Sequence, residues 1–223
     1  FFFSKNILQQ SINDLSEMNW KMMWKYGRME SFAYFASELL FSIDIAMIAI
    51  FMADKDIALY KVAIILPMNL LFLPTILFQT DFPRIVQNAD NKAFLKFYIY
   101  NYLKLFIPLG MIILIGSYFL KDWLLTLFFN QDYLAGNSVF FIATITVVFA
   151  MLFRVLFLNL FSAVGLFNYN VRISRISIIT LIIADAIFIP IYKLNGAAFG
   201  FLIMFIVSGF YAGFLFRNYL KGL

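Results

Sequence analysis

From Val139 to Val164 the chain runs for twenty-six residues with a single ionisable side chain, Arg154. A bilayer's hydrocarbon core of about 30 Å needs about 20 apolar helical residues, so this stretch crosses a membrane with some tilt. An arginine near the middle of such a span costs at least about 2.5 kcal/mol unless it faces protein or water. Arg154 therefore turns away from lipid. On a wheel of 100° per residue, Thr144 and Ser162 fall about 80° from Arg154 and Asn159 about 140°, so most of the polar atoms of the span share one side.

The rest of the chain repeats the pattern. Hydrophobic residues make up 64% and charged residues only 13% of the 223, and the mean hydropathy is +0.89. Long apolar runs without ten-residue alternation predict helices and exclude a β-barrel. The fold class is thus an all-α integral membrane protein, a bundle of six transmembrane helices. Without Cys or His there is no thiolate metal site and no imidazole proton shuttle, so any ion chemistry falls to carboxylates, Lys, Tyr or Arg. No metal site, catalytic constellation or cofactor is predicted, and the net charge of +5 reads as membrane topology, with no nucleic acid as partner.

In chain order, residues 1–31 read as a cytoplasmic interfacial linker carrying Trp20 and Trp24 beside Lys21, Lys25 and Arg28, followed by a six-helix lobe over 32–223. The opening Phe1-Phe2-Phe3 resembles the end of an upstream span. Span one, 32–53, contains Glu38 and Asp44, with Ser31, Glu38 and Ser42 on one face and Ser37 and Asp44 on another. Span two, 62–79, has Pro67 and Pro74 on one side and is expected to bend. A loop over 80–104 leads into span three, 105–120, and a polar connection over 121–137 leads to the central span, 139–164. Span five, 176–192, has Asp185 at its middle, and Asn195-Gly196 signals a tight turn before span six, 197–216. The small residues of span six, among them Ala198, Gly200, Ser208, Gly209, Ala212 and Gly213, permit close helix packing.

Lys and Arg alternate between the two sides. Twelve lie in the N-terminal stretch, the 80–104 and 166–175 loops and the tail, against four in the opposite connections, so the positive-inside rule predicts cytoplasmic N- and C-termini.

The order of elements, with "TDFPRIV", "LLTLFFNQDYLAGNSVFFI", "LFSAVGLFNYN" and "IPIYKLNGAAFGFLIMFIVSG", resembles the C-terminal half of the polysaccharide exporter and O-antigen flippase family. That family belongs to a superfamily that also holds multidrug exporters. The most specific piece is Ile189-Pro190-x-Tyr192 followed by Asn195-Gly196-Ala197-Ala198. The resemblance implies one lobe of a two-lobe transporter in the inner (cytoplasmic) membrane, with a missing N-terminal transmembrane lobe. Its partners would be membrane lipids and a polyprenyl-diphosphate-linked oligosaccharide, carried across by alternating access without covalent chemistry. Asp185 stands where many relatives place Asn.

On that reading Arg154, with Asn159 and Thr144 beside it, contacts the diphosphate, and Asp44, Asp185 or Glu38 binds a coupling proton or sodium ion. The competing reading makes Arg154 and Asp185, at comparable depth on adjacent spans, an internal ion-pair strut. Three other functions fit the composition: a cation-coupled drug or metabolite antiporter, a membrane-embedded saccharide polymerase or glycosyltransferase, and a non-transporting scaffold that packs with another membrane subunit. The cationic Arg154 argues against the first, and the shortness of the outer connections, at most about seventeen residues, against the second.

Overall fold

The computed structural model describes residues 20–223. The opening part of the interfacial linker, residues 1–19, lies outside the described residues. The described chain is helical throughout, with no strand: α1 (Trp20–Phe51), α2 (Asp54–Asn69), α3 (Phe72–Gln87), α4 (Lys92–Phe128), a 3-10 turn (Gln131–Gly136), α5 (Asn137–Phe149), a π-helical turn (Ala150–Val155), α6 (Leu156–Ala163), α7 (Phe167–Tyr192) and α8 (Leu194–Gly222). Together these make six rods long and apolar enough to cross a membrane, as the hydropathy predicts.

The rods outrun the expected spans. Residues 80–104, expected as a loop, are helical but for the turn at 88–91, and 121–137, expected as a polar connection, is helical to Phe128. Amphipathic ends continue a helix past the hydrocarbon because their backbone bonds stay satisfied there while their polar side chains reach water. The same holds for Trp20–Ser31, which is continuous with the first span and is no separate linker helix.

The second rod breaks where its prolines demand it. Between α2 and α3 only Leu70 and Leu71 leave the α-helix, and their amides fall back on i−3 carbonyls, Leu70 on Pro67 and Leu71 on Met68. Pro74, which has no N–H, sits in the first turn of α3, where that donor would lack an intrahelical acceptor. At the 88–91 turn, the Asn91 side chain caps α4 by accepting from the Phe94 amide at 3.0 Å.

The fourth rod is the axis of the bundle. Two thirds of its most apolar window is buried, against 17% for the third rod, and α2, α4 and α8 all pack on it. A π turn interrupts it around Arg154, and the buried Tyr102 hydroxyl donates to the Met151 carbonyl inside that turn at 2.8 Å. A π turn bonds i→i+5 and disturbs the local ladder, so an outside donor at this carbonyl satisfies a group that lipid cannot.

The tightest helix pair is α7 with α8. The reversal between them happens at one residue, Lys193, with φ 53°, and Asn195-Gly196, expected as the turn, already lie in the first turn of α8. Gly196 is required for a different reason: a Cβ there would collide with the Phe188 carbonyl. The small residues of α8 serve close packing, as expected, and Ala198, Gly200, Ser208, Gly209 and Ala212 are all buried.

Candidate functional site

On α1 the residues Ala36, Leu40, Asp44 and Ile48, spaced by four, form one buried stripe that packs on α7. On α7 the buried face is Asn170, Ser174, Ser177, Leu181, Asp185 and Ile189. The α1 stripe is apolar around its one acid, the α7 stripe is apolar from Leu181 on apart from Asp185, and α1 and α7 bring Asp44 and Asp185 together as completely buried neighbours.

Two further elements complete the surroundings. Tyr60 of α2, also fully buried, donates its hydroxyl to Oδ2 of Asp44 at 2.5 Å. Gly200 of α8 lies against Asp185, where any Cβ would collide with Oδ1 of that carboxylate. Of the four carboxylate oxygens, one accepts the tyrosine's hydrogen bond; Oδ1 of Asp44 and both oxygens of Asp185 have no hydrogen-bond donor.

Such an arrangement has few chemical uses. Two neighbouring buried carboxylates cannot both carry charge without a counter-ion, and unsatisfied buried acceptors each cost roughly 1–3 kcal/mol or more. A proton shared between them, or a small monovalent cation ligated by them, lowers both penalties. Among the described residues no third carboxylate joins the pair, so the charge that suits the site is small.

Glu38, the third acid proposed for this role, does not join it. It is exposed on the outer face of α1, as is Ser42. The two faces read from the sequence are real; only the one bearing Asp44 turns inward.

Arg154 sits elsewhere. It is buried, with its guanidinium 5.3 Å from the centroid of the Phe205 ring, and Nη2 donates to the Ser177 hydroxyl at 3.5 Å, while Nε has no partner. It makes no ion pair with Asp185, whose oxygens are both unpartnered. Ser177 precedes Asp185 by eight residues, about 12 Å along α7, so the expected strut spans too great a distance. The two charges are at different depths.

Nor do Thr144 and Asn159 gather around Arg154. Thr144 is buried and spends its hydroxyl on the Phe140 carbonyl at 2.9 Å; Asn159 donates to Val155 O at 2.8 Å and lines a polar recess of about 130 Å³ with Tyr34, Ser37, Ser162, Asn170 and Ser174. Thr144 and Asn159 stand ten and five residues from Arg154, about 15 and 7.5 Å along the rod, and the π turn adds an angular separation. Its extra residue between Thr144 and Asn159 changes the angular register, so a wheel at 100° per residue does not carry across it.

Tyr60, Gly200, Phe205 and Asn170 were not singled out as site residues. Tyr60 carried a faint signal, a hydroxyl in an apolar stretch beside Lys61, whereas nothing local marks Gly200 as the neighbour of an acid fifteen positions away. Asn170, 3% exposed, ties α7 to α6 by donating to Leu158 O at 3.2 Å and Ser162 Oγ at 2.8 Å, and its own carbonyl oxygen is unpartnered.

The chain matches no family model, no curated protein and no solved structure.

Proposed function

We propose that this chain is one lobe of a transporter that moves a lipid-linked oligosaccharide across the cytoplasmic membrane by alternating access, driven by a proton or sodium ion taken up between Asp44 and Asp185. The observation that carries the reading is the buried acid pair with three unpartnered oxygens. Ionisable groups within membrane spans are expensive, and a pair held unsatisfied between four helices has a natural use as a coupling-ion site that binds in one conformation and releases in another. Support for the saccharide cargo comes from the resemblance over the order of elements and the "IPIYKLNGAAFG" stretch. Orientation, with both termini cytoplasmic, rests on the distribution of Lys and Arg.

Arg154 enters this proposal with a changed role. Held over Phe205 and bonded to Ser177, it can meet a diphosphate only if the lobe rearranges, so the cargo contact is a property of another state. The same placement removes the main objection to a cation-coupled drug or metabolite antiporter, since no open cavity need present a positive charge to a cationic cargo. A saccharide polymerase fits less well. Connections between described α-helices are at most eight residues long, at 129–136 with its 3-10 turn, which leaves little room for a catalytic outer loop.

The test is transport of a lipid-linked oligosaccharide in inverted vesicles, using the lobe in its full reading frame. With Asp44→Asn or Asp185→Asn, transport should lose its dependence on the ion gradient. Unchanged gradient-driven transport in both variants would overturn the coupling role, and drug efflux in place of saccharide transport would favour the antiporter.

A further inference from the structure

Where α3 runs down to the 88–91 turn and α4 leaves it, the two helices enclose a cavity of about 360 Å³ lined by Asp81, Arg84, Phe94, Tyr98 and Asn101, with Phe97 and Leu105 along its lipid-facing edge. Asp81 and Arg84 stand three residues apart on α3, the spacing at which opposite charges on a helix ordinarily pair. Here each is held by something else. The Asp81 carboxylate accepts from the Tyr98 hydroxyl at 3.2 Å, and the Arg84 guanidinium lies 5.5 Å from the centroid of the Phe94 ring. One anion and one cation thus face the same cavity without neutralising each other.

Depth and shape narrow the ligand. Asp81 and Arg84 lie six and three residues before the end of α3 at Gln87, about 9 and 4.5 Å from it, in the zone where lipid headgroups meet the hydrocarbon. Level with them on α4 is Phe97, between Phe94 and Tyr98, and one and two turns deeper come Asn101 and Leu105, with Phe97 62% and Leu105 55% exposed. The site therefore offers a carboxylate and a guanidinium at headgroup level and an apolar track running into the membrane. Its volume falls within the roughly 300–1,000 Å³ typical of small-ligand sites.

We propose that this cavity binds a phospholipid whose headgroup carries both a phosphate and a primary ammonium, as in phosphatidylethanolamine. The ammonium meets the Asp81 carboxylate, the phosphate meets Arg84 with Asn101 beside it, and an acyl chain follows Phe97 and Leu105. An anionic lipid such as phosphatidylglycerol would satisfy Arg84 but leave Asp81 facing a like charge. Phosphatidylcholine would give Asp81 a quaternary ammonium that has no N–H to donate. This site is independent of the transport reading, since neither acid of the coupling pair lines it.

Purified protein is exchanged into nanodiscs containing equal phosphatidylethanolamine, phosphatidylglycerol and phosphatidylcholine, then released for native mass spectrometry to read the lipid retained. Retained phosphatidylethanolamine should exceed the other two by about tenfold, the factor for about 1.4 kcal/mol of charge-assisted hydrogen bonding. Asp81→Asn and Arg84→Gln should each abolish that preference, while Lys104→Gln, outside the cavity, should keep it. Equal retention of all three lipids would overturn the proposal, as would a preference for phosphatidylglycerol that Arg84→Gln removes and Asp81→Asn leaves intact. Displacement of the retained lipid by water-soluble glycerophosphoethanolamine would overturn the role of the acyl track. Because Asp81→Asn keeps the side-chain shape and its acceptor for Tyr98, melting temperatures of the variants separate lost binding from lost folding.

Discussion

The bundle buries charge in two places and partners them differently. Around Arg154 the protein supplies partners from itself: the face of Phe205, the hydroxyl of Ser177 and a π turn that positions the side chain between α7 and α8. Around Asp44 and Asp185 it supplies one donor, Tyr60, and brings the two acids together despite their repulsion. A buried charge that matters only for stability tends to be surrounded by its counterparts. The cationic station has an aromatic face and a hydroxyl but no anion, and the acidic one a hydroxyl but no cation; on the proposed function the charge missing from the acid pair is the coupling ion.

The variant expected to act most strongly is Gly200→Ala. Its methyl would collide with the Asp185 carboxylate, so either α8 shifts or the acid does. We expect a loss of about 1–3 kcal/mol of stability, the usual cost of overpacking, together with loss of any response to coupling ion. Thermal melting in detergent with and without sodium reads both; a variant that melts and responds like the wild type would show that α8 does not define the acid site.

Arg154→Ala should be nearly as costly, up to about 3 kcal/mol for emptying the site of a buried long side chain, yet leave the ion response intact. Since the Arg154 contact on α7 lies about 12 Å from Asp185, the loss should add to that of Asp185→Ala within about 0.5 kcal/mol. A double mutant more stable than Arg154→Ala by well over that margin beyond additivity would restore the ion-pair strut and merge the two stations into one.

Tyr102→Phe tests the π turn on which the Arg154 station is built. Removing the hydroxyl leaves the Met151 carbonyl without its outside donor, and we expect about 1–3 kcal/mol lost with ion response unchanged. Hydrogen exchange should rise across Ala150–Val155; exchange unaltered there would mean that the turn is held by packing alone. At the small end stands Glu38→Gln. Exposed on α1, Glu38 should contribute within about 0.5 kcal/mol and nothing to ion response, and a clear loss of response would bring it back as a coupling residue.

The contrast between the stations also marks how much the chain disclosed in advance. Six membrane helices are legible from hydropathy alone, because in lipid the backbone has few ways to satisfy itself. That Asp44 and Asp185 belong to a polar interior follows from the cost of charge in a span. Which acid faces which helix does not: Glu38 and Asp44 share one span, and only the packing of α1 on α7 separates the exposed face from the buried one. The pairing of Arg154 with Asp185 failed on distance, since depths counted from span ends carry the error of those ends. The grouping of Thr144 and Asn159 with Arg154 failed because a wheel shows angle and not height, and Thr144 stands about 15 Å along the rod from Arg154, with a π turn between that shifts the angle as well. Gly200 shows the converse, a residue read correctly as a packing contact whose packing partner is the ion site itself.

The central claim is that Asp44 and Asp185 share one externally supplied cation, and linkage gives it a direct readout. A ligand that binds only the folded state raises its melting temperature, and a proton or sodium ion entering this pair must do so. The measurement is the melting temperature of the purified protein across sodium and proton concentrations, with choline holding ionic strength constant, for wild type, Asp44→Asn, Asp185→Asn and Arg154→Ala. The account predicts a rise with sodium or proton in the wild type, kept by Arg154→Ala and flattened in both aspartate variants. A response to both ions that is the same in wild type and in Asp185→Asn would contradict it.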